Sequence, residues 1–290
     1  MYKIVKKERL NDNVTRMSIE APLVANKGKA GQFIIFRVDE FGERVPLTIA
    51  GTDKEAGTVD IIFQTVGKAT RMLQHKEEGE EILDFVGPLG KPSELAGHKR
   101  ACVVGGGVGT AIAYPSAVEL HEQGAEVDVI VGFRNKDIVI LEDDFKAVSD
   151  NLYMMTDDGS YGEHGFVTKK LEDLLEAGET YDVVVAIGPV PMMKAVVDLT
   201  RPKGIHTLVS LNPIMVDGTG MCGGCRVSIA GETKFACVDG PEFDGFDVDF
   251  DDLTRRNRAY LDEEKEKDHA CRMQMAADLA KAAEAAETAE

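Results

Sequence analysis

Three of the five cysteines in this 290-residue chain lie in one short glycine-rich segment. Cys222 and Cys225 form a C-x2-C pair within DGTGMCGGC, and Cys237 follows in KFACVDGPEF. Thiolates on flexible glycine backbone can wrap a small inorganic centre, and a plant-type [2Fe–2S] loop reads C-x4-C-x2-C before a distant cysteine. Here Asp217 stands where the first of those cysteines would be. The pattern predicts either an iron–sulfur site with one carboxylate ligand or a site that lacks a ligand.

Two other interpretations of this cysteine cluster use its ligands less completely. A structural zinc site is normally closed by four Cys or His ligands, and the nearest histidines, His206 and His269, lie outside the segment. A redox C-x-x-C pair would leave Cys237 unused and lacks a βαβ thioredoxin setting. An iron–sulfur centre uses all three cysteines, so the spacing favours it over zinc.

A second candidate site is the glycine-rich turn GGGVGT, between a predicted strand and a predicted helix. Backbone N–H groups of such a turn can approach a pyrophosphate at the positive end of the helix. The candidate residues are Gly105, Gly106, Gly107, Val108, Gly109 and Thr110. The second strand ends in GFR, with Arg134, instead of the usual acidic residue, which predicts a different nucleotide geometry. Because Arg134 and Lys136 are the only obvious basic residues there, the sequence favours NAD over NADP.

Two more loops follow predicted strands of the same sheet. TDDGSYGEHG spans 156–165, and GPVPMM spans 188–193. Ligands of open α/β sheets bind at the carboxyl ends of the strands, so these loops are expected to converge on the glycine-rich turn. Their candidate cofactor-binding residues are Asp157, Asp158, Gly159, Gly188, Pro189 and Met192.

The amino-terminal region carries two further candidate motifs. RVPLTIA places Arg44 and Thr48 on one face of a predicted strand, where they could bind a phosphate and a ring edge. VGKAT precedes a short predicted helix and is a second phosphate-binding turn. Spacing alone also fits an ordinary strand with one exposed arginine. The candidate residues are Arg44, Pro46, Leu47, Thr48, Val66, Gly67, Lys68 and Thr70.

Strand and helix patterns divide the chain into four parts. Short β-branched runs such as FIIFRV and TVDIIFQTV predict an antiparallel β-barrel over 1–96. Continuous apolar strands alternating with amphipathic helices predict a doubly wound parallel sheet over 97–211. The segment 212–250 is too small to bury much surface, so a metal centre is expected to organise it. A charged, helix-forming tail is predicted for 251–290.

Net charge and hydropathy argue against some classes of binding partner. The formal net charge of −18 opposes binding to nucleic acid and to anionic lipid. No apolar run approaches the roughly 20 residues of a membrane helix, and MYKIVKKERL has no apolar signal region. The sequence therefore predicts a cytoplasmic protein with no membrane contact.

In this order, RVPLT, VGKAT, GGGVGTA, TDDGSYGEHGFV, GPVPMM and DGTGMCGGC…ACVDGPEF resemble the ferredoxin–NADP reductase-like electron-transfer flavoproteins, over roughly residues 1–250. Two groups are most similar: the electron-transfer subunit of dihydroorotate dehydrogenase, and the small subunit of NADH-dependent reduced ferredoxin:NADP oxidoreductase, also known as sulfide dehydrogenase. The resemblance implies an FAD-binding barrel, an NAD(H)-binding Rossmann-like domain and a [2Fe–2S] domain. It implies that Arg44 lies on the FAD phosphate and Thr48 near the isoalloxazine.

The position of Asp217 separates the two groups. The resemblance implies Asp217, Cys222, Cys225 and Cys237 as the cluster ligands, with aspartate typical of the ferredoxin:NADP oxidoreductase subunit and cysteine of the dihydroorotate type. It also implies a larger partner subunit, similar to the glutamate synthase small subunit, with its own FAD and [4Fe–4S] clusters. Ferredoxin would act on that partner. The sequence therefore predicts an oxidoreductase subunit, and no general acid or base is expected in this chain.

Overall fold

Seven antiparallel strands form a nearly closed barrel in the order β6-β1-β2-β5-β4-β3-β7. The structure is a computed structural model that describes residues 1–273. Leu83 alone separates the two edge strands, and its amide donates to the carbonyl oxygen of Arg37, so the two edges nearly meet. The strands are β1 (Tyr2–Arg9), β2 (Val14–Glu20), β3 (Phe33–Arg37), β4 (Val45–Asp53), β5 (Thr58–Gln64), β6 (Glu81–Ile82) and β7 (Asp84–Leu89), with helices α1 (Pro22–Ala25) and α2 (Lys68–Gln74).

The second sheet is parallel apart from one edge strand and has the order β11-β10-β9-β8-β12-β13-β16. Strands such as VVVAI are buried at every position, as expected for a sheet covered on both faces. Its elements are β8 (Arg100–Gly106), α3 (Gly109–Glu122), β9 (Glu126–Phe133), α4 (Glu142–Lys146), β10 (Asn151–Thr156), β11 (Glu163–His164), α5 (Val167–Glu176), β12 (Val183–Ile187), α6 (Val190–Thr200) and β13 (His206–Ser210), with 3-10 turns at Lys136–Ile138 and Arg201–Lys203. This confirms the predicted combination of a barrel with a doubly wound sheet.

The cysteine segment is more deeply integrated than its composition suggests. It contains β14 (Arg226–Ile229), β15 (Glu232–Phe235), α7 (Ala236–Asp239), β16 (Glu242–Asp244) and α8 (Phe250–Asn257). Strand β16 pairs antiparallel with β13, and Cys225, Val227, Phe250 and Leu253 belong to the same buried core as the parallel sheet. Apolar packing against the sheet therefore holds this segment in addition to the metal centre that the sequence predicts. The domain boundaries at 96, 211 and 250 stay a prediction.

The barrel and the sheet share an apolar junction. Val14, Ala50 and Ile62 of the barrel are buried in one core with residues of α3 and the parallel strands. Near the amino ends of the parallel strands, buried Asp128 accepts hydrogen bonds from the Tyr181 hydroxyl at 2.7 Å and the Asn151 side-chain amide at 2.8 Å. These contacts fix the end of the strands that lies away from the candidate loops.

The tail begins as part of the fold. After α8, a helix spans 261–273, and Asp268 on it accepts a hydrogen bond from Arg71 of α2 at 2.9 Å. The alanine-rich end of the predicted tail helix lies outside the described residues. Within residues 1–273, no helix combines the length and apolar character needed to span a membrane.

Candidate functional site

Asp217 opens the cysteine loop and is held there by the loop itself. Its Oδ2 accepts hydrogen bonds from the Thr219 amide at 3.0 Å, the Thr219 hydroxyl at 2.5 Å and the Met221 amide at 3.2 Å. Hydrogen bonds from Thr219 and Met221, with a smaller effect of Arg44, lower the pKa of Asp217. The carboxylate is thus fixed in its ionised form at the start of the loop. Sequence reasoning missed Thr219, although Asp followed two residues later by Thr is a signal for an Asx-turn.

The three cysteines form a close pair and one outlying member. The Sγ atoms of Cys225 and Cys237 are 3.2 Å apart and both residues are buried, whereas Cys222 is exposed. Burial, followed by the neighbouring Cys225, raises the pKa of Cys237 to about 12. The Gly224 amide, 3.4 Å from the Cys222 sulfur, lowers the pKa of Cys222, and so does the Asp217 amide. The loop therefore presents one shielded thiol pair and one thiol that backbone amides polarise.

This donor set fits a centre with two irons better than a single ion. Across residues 1–273, no three His, Cys, Asp or Glu side chains converge as one metal ion requires. A [2Fe–2S] centre has two protein ligands on each iron. Two thiolates about 2.3 Å from one tetrahedral metal lie about 3.8 Å apart, which Cys225 and Cys237 reach with a small adjustment. Asp217 and Cys222 would then be the oxygen and sulfur donors left for a second iron, and this assignment stays a prediction.

The cysteine loop is attached directly to the barrel. Gly218 has a φ of +82°, and a side chain there would come within 2.6 Å of Ile35 and 2.9 Å of Leu89. The backbone carbonyl of Val216 accepts a hydrogen bond from Nε of Arg44 at 3.0 Å. Glycine is favoured at 218 because the left-handed φ suits glycine, and its bare Cα lets the loop pack closely on strands β3 and β7.

The predicted flavin motif lies on β4. Arg44 precedes the strand, while Pro46, Leu47 and Thr48 are half-buried along it and pair with β3. The guanidinium of Arg44 is directed to Val216 and toward Asp84. A phosphate role for Arg44 and a ring contact for Thr48 stay predictions.

The second flavin turn is shaped by its own threonine. The Thr70 hydroxyl accepts hydrogen bonds from the amides of Val66 at 3.1 Å and Gly67 at 3.2 Å. No atom lies within 4 Å of the position that a Gly67 side chain would take. The start of α2, at Lys68, is thus open enough for a phosphate group. The Thr70 hydroxyl stabilises the turn through its two hydrogen bonds to backbone amides.

The glycine-rich turn and the GPVPMM loop pack on each other, as expected. A side chain at Gly106 would come within 2.4 Å of the Met192 sulfur and 3.2 Å of the Pro189 ring. A side chain at Gly109 would come within 2.5 Å of the Ile187 carbonyl oxygen and 2.7 Å of Gly188. Close approach of backbone requires glycine at 109, and the Met192 side chain packs against Gly106 in the turn.

The third loop joins the same edge through the end of β9. The amide of Asp157 donates to the carbonyl of Phe133 at 3.0 Å, and that of Asp158 donates to the carbonyl of Arg134 at 3.3 Å. The carboxylate of Asp158 accepts a hydrogen bond from the Ser160 amide at 2.9 Å, which closes the turn around Gly159. The exposed Arg134 side chain therefore stands beside this loop at the carboxyl edge of the sheet.

One feature of this edge, the open turn at Gly107, fits a dinucleotide. Gly107 has a φ of +57° with open space where a side chain would be, so the turn leaves room for a pyrophosphate. The buried hydroxyl of Thr110, in the first turn of α3, has no hydrogen-bond partner within residues 1–273. Val108 lies between them and precedes α3. The open glycine before this helix start is suited to an anionic ligand, whereas the Thr110 hydroxyl is shielded from solvent.

A barrel beside a parallel-sheet nucleotide domain, with a cysteine loop between them, defines an electron-transfer flavoprotein of the ferredoxin-reductase type. A family model for the iron–sulfur cluster binding domain of dihydroorotate dehydrogenase B matches residues 212–249. The chain is 53% identical over 272 residues to a Clostridium beijerinckii protein described as the uncharacterized protein in the adh 3′ region, covering 91% of this chain and 92% of that protein. It is 47% identical over 265 residues to the Thermotoga maritima homologue of the dihydroorotate dehydrogenase B (NAD(+)) electron transfer subunit, covering 91% and 93%.

A solved structure is similar over nearly the whole fold. A chain from the structure of the NADH-dependent reduced ferredoxin–NADP oxidoreductase, reported for flavin-based electron bifurcation, superposes with a TM-score of 0.87 at 46% identity, covering 92% of this chain and 96% of that chain. This chain belongs to the family of dihydroorotate dehydrogenase B electron transfer subunits and their homologues. Family membership confirms the predicted oxidoreductase subunit and its flavin, nicotinamide and iron–sulfur cofactors. The individual ligands stay predictions.

Proposed function

We propose that this chain passes electrons between NAD(H), FAD and a [2Fe–2S] cluster to or from a larger flavoprotein subunit, in NADH-dependent ferredoxin:NADP oxidoreduction. One observation carries the proposal: the cysteine loop is attached to the barrel beside the flavin motif, through Gly218 and through the Arg44–Val216 hydrogen bond. An electron leaving a flavin on that barrel would therefore meet the cluster first. The 46% identity to a chain of the NADH-dependent reduced ferredoxin–NADP oxidoreductase supports the choice of reaction.

Each part of the chain has a positioning role in this proposal. The residues around Thr48 and the start of α2 would hold FAD, and the glycine-rich turn with its two neighbouring loops would hold NAD(H). When bound, these cofactors supply hydride transfer and one-electron transfer, while the protein supplies orientation and exclusion of water. Asp217, Cys222, Cys225 and Cys237 would hold the cluster, with the buried thiols toward the sheet core and Cys222 toward the surface.

The exposed side of the cysteine loop would be the docking face for the larger subunit. Met221 is 87% exposed, Val216 is 52% exposed and Val238 is 40% exposed, all close in sequence to a proposed ligand. Exposed apolar side chains around a redox centre favour burial by a protein partner. The partner would have its own FAD and [4Fe–4S] clusters, where ferredoxin and NADP react.

A second candidate function is electron transfer for a dihydroorotate dehydrogenase. The iron–sulfur model that matches 212–249 and the Thermotoga maritima relative both favour it. The two candidates differ in the partner, which is a large FAD and [4Fe–4S] subunit in the first and an FMN-containing dehydrogenase subunit in the second.

Purification of the full chain with its native partner tests the proposal. We expect one FAD in this chain, a [2Fe–2S] EPR signal after reduction, and reduction of both by NADH. A large partner with flavin and [4Fe–4S] centres supports the first candidate, whereas an FMN-containing partner that oxidises dihydroorotate replaces it with the second. A colourless protein that contains zinc would refute both.

A further inference from the structure

Arg44 connects the barrel to the cysteine loop across 172 positions of sequence. Its Nε donates to the carbonyl of Val216 at 3.0 Å, one residue before Asp217. Its Nη1 lies 3.6 Å from Oδ2 of Asp84, which also accepts a hydrogen bond from Nε of Arg37 at 2.7 Å. The guanidinium is therefore held between β7 and the loop.

We propose that Arg44 is a positioning residue of the iron–sulfur loop, which fixes the backbone at Val216 and places a positive charge beside Asp217. The inference rests on the proposed function, because it requires a cluster in this loop. It adds a role to the FAD-phosphate contact that the flavin motif implies for the same side chain.

The contacts explain why this side chain is suited to the task. The neighbouring contact of the loop with the barrel, the packing of Gly218 on Ile35 and Leu89, is apolar and carries no charge. An arginine offers five N–H donors in a rigid plane, so Nε can bind the loop carbonyl while the outer nitrogens bind other groups. Arg44 and Asp84 are both about one-third exposed or less, at 31% and 26%, which limits screening by solvent.

The charge has a predictable effect on the cluster. Reduction adds one negative charge, and a nearby fixed cation stabilises that charge more than it stabilises the oxidised form. Arg44 therefore raises the reduction potential of the cluster. Loss of the hydrogen bond to Val216 would also free the segment that carries Asp217.

Arg44→Gln is the direct test, in the full chain purified with its native partner and reconstituted with FAD. We expect the ratio of reduced to oxidised cluster, measured by EPR at the wild-type midpoint, to fall about tenfold, which is about 59 mV for a one-electron couple. Arg37→Gln is the matched control, because Arg37 binds the same Asp84 without contacting the loop. We expect a shift of less than about twofold in that variant.

Arg44→Lys separates charge from geometry and serves if the glutamine variant does not fold. It keeps the positive charge, so it should restore more than half of the lost potential. An unchanged cluster potential in FAD-loaded Arg44→Gln, or equal shifts in Arg44→Gln and Arg37→Gln, would refute the inference and leave Arg44 with the FAD phosphate alone. Where only Arg44→Lys folds, a tenfold fall of the same ratio in that variant would refute it as well. A wild-type protein without a [2Fe–2S] signal would instead refute the proposed function.

Discussion

Glu242 is a buried carboxylate whose replacement should make the protein more stable above neutral pH. It lies on β16 opposite Ser210 of β13, and both of its carboxylate oxygens are shielded from solvent without a hydrogen-bond partner within residues 1–273. The Ser93 hydroxyl lies near it, and Glu119 on α3 adds negative charge. An ionised carboxylate in such a place is costly, so the group binds a proton more tightly in the folded state.

The size of the effect follows from the acid constants. Burial, with a smaller effect of Glu119, raises the pKa of Glu242 from 4.5 to about 7, and Ser93 only partly opposes this. Because the folded state holds the proton more tightly, the free energy of unfolding falls as pH rises from 4.5 and the loss is complete above about pH 7. At roughly 1.4 kcal/mol for each factor of ten, the loss is about 3 kcal/mol. Glu242→Gln abolishes it.

Urea unfolding of the cofactor-loaded protein between pH 4.5 and pH 8 measures this difference. Glu242→Gln should exceed the wild type by up to about 3 kcal/mol at pH 8, and the two should converge toward pH 4.5. Glu122→Gln is the control, since it removes the same charge from an exposed position on α3 and should show no such trend. A gain that is independent of pH, or no gain at pH 8, would refute the reasoning.

Three further predictions concern the loops and the sheet. Gly109→Ala brings a methyl group against the Ile187 carbonyl oxygen, so we expect a loss of about 2 kcal/mol or more in urea unfolding and weaker NADH binding by titration. Tyr181→Phe removes a buried hydrogen bond to a carboxylate and should cost about 1–3 kcal/mol of stability, with flavin and cluster spectra unchanged. Thr219→Val removes the hydroxyl that holds Asp217, so iron and sulfide content per chain should fall; equal content would contradict the role of Thr219 in the loop.

Much of the fold was accessible from sequence because its parallel strands are continuously apolar. The runs DVVVAIG and ACVVGGG each predict a buried strand. Because the strands are parallel, the loops that follow them lie at the same edge of the sheet. Two strands show why some elements escaped prediction. Strand β1 is rich in lysine, with an irregular burial pattern, and β16 has only three residues in a polar GPEFDG context. In both, tertiary pairing decides the conformation more than local preference does.

Some features of the candidate site could likewise be predicted from sequence, and others could not. The cysteine spacing and the glycine turns predict which residues could act, because spacing is a local property of the chain. The attachment of Arg44 to Val216 could not be predicted, because it joins residues far apart in sequence through a backbone carbonyl that any residue provides. Nothing in the motif ACVDGPEF marks Glu242 as a buried acid. Its carboxylate is shielded because residues around Gly31 and Ser93 pack against β16.

The cysteine segment holds the two larger parts of the molecule together. Strand β16 extends the second sheet at one edge. The Gly240 carbonyl accepts a hydrogen bond at 2.6 Å from the amide of Lys91, which lies just after barrel strand β7. Gly218, at the other end of the same segment, packs on Ile35 of β3 and Leu89 of β7. Because the segment contacts both parts, the position of the cysteine loop relative to the flavin motif is set by the fold and does not depend on the loop alone. If Asp217 is a ligand as proposed, a carboxylate in place of one thiolate would alter the chemistry of the centre without moving the loop that holds it.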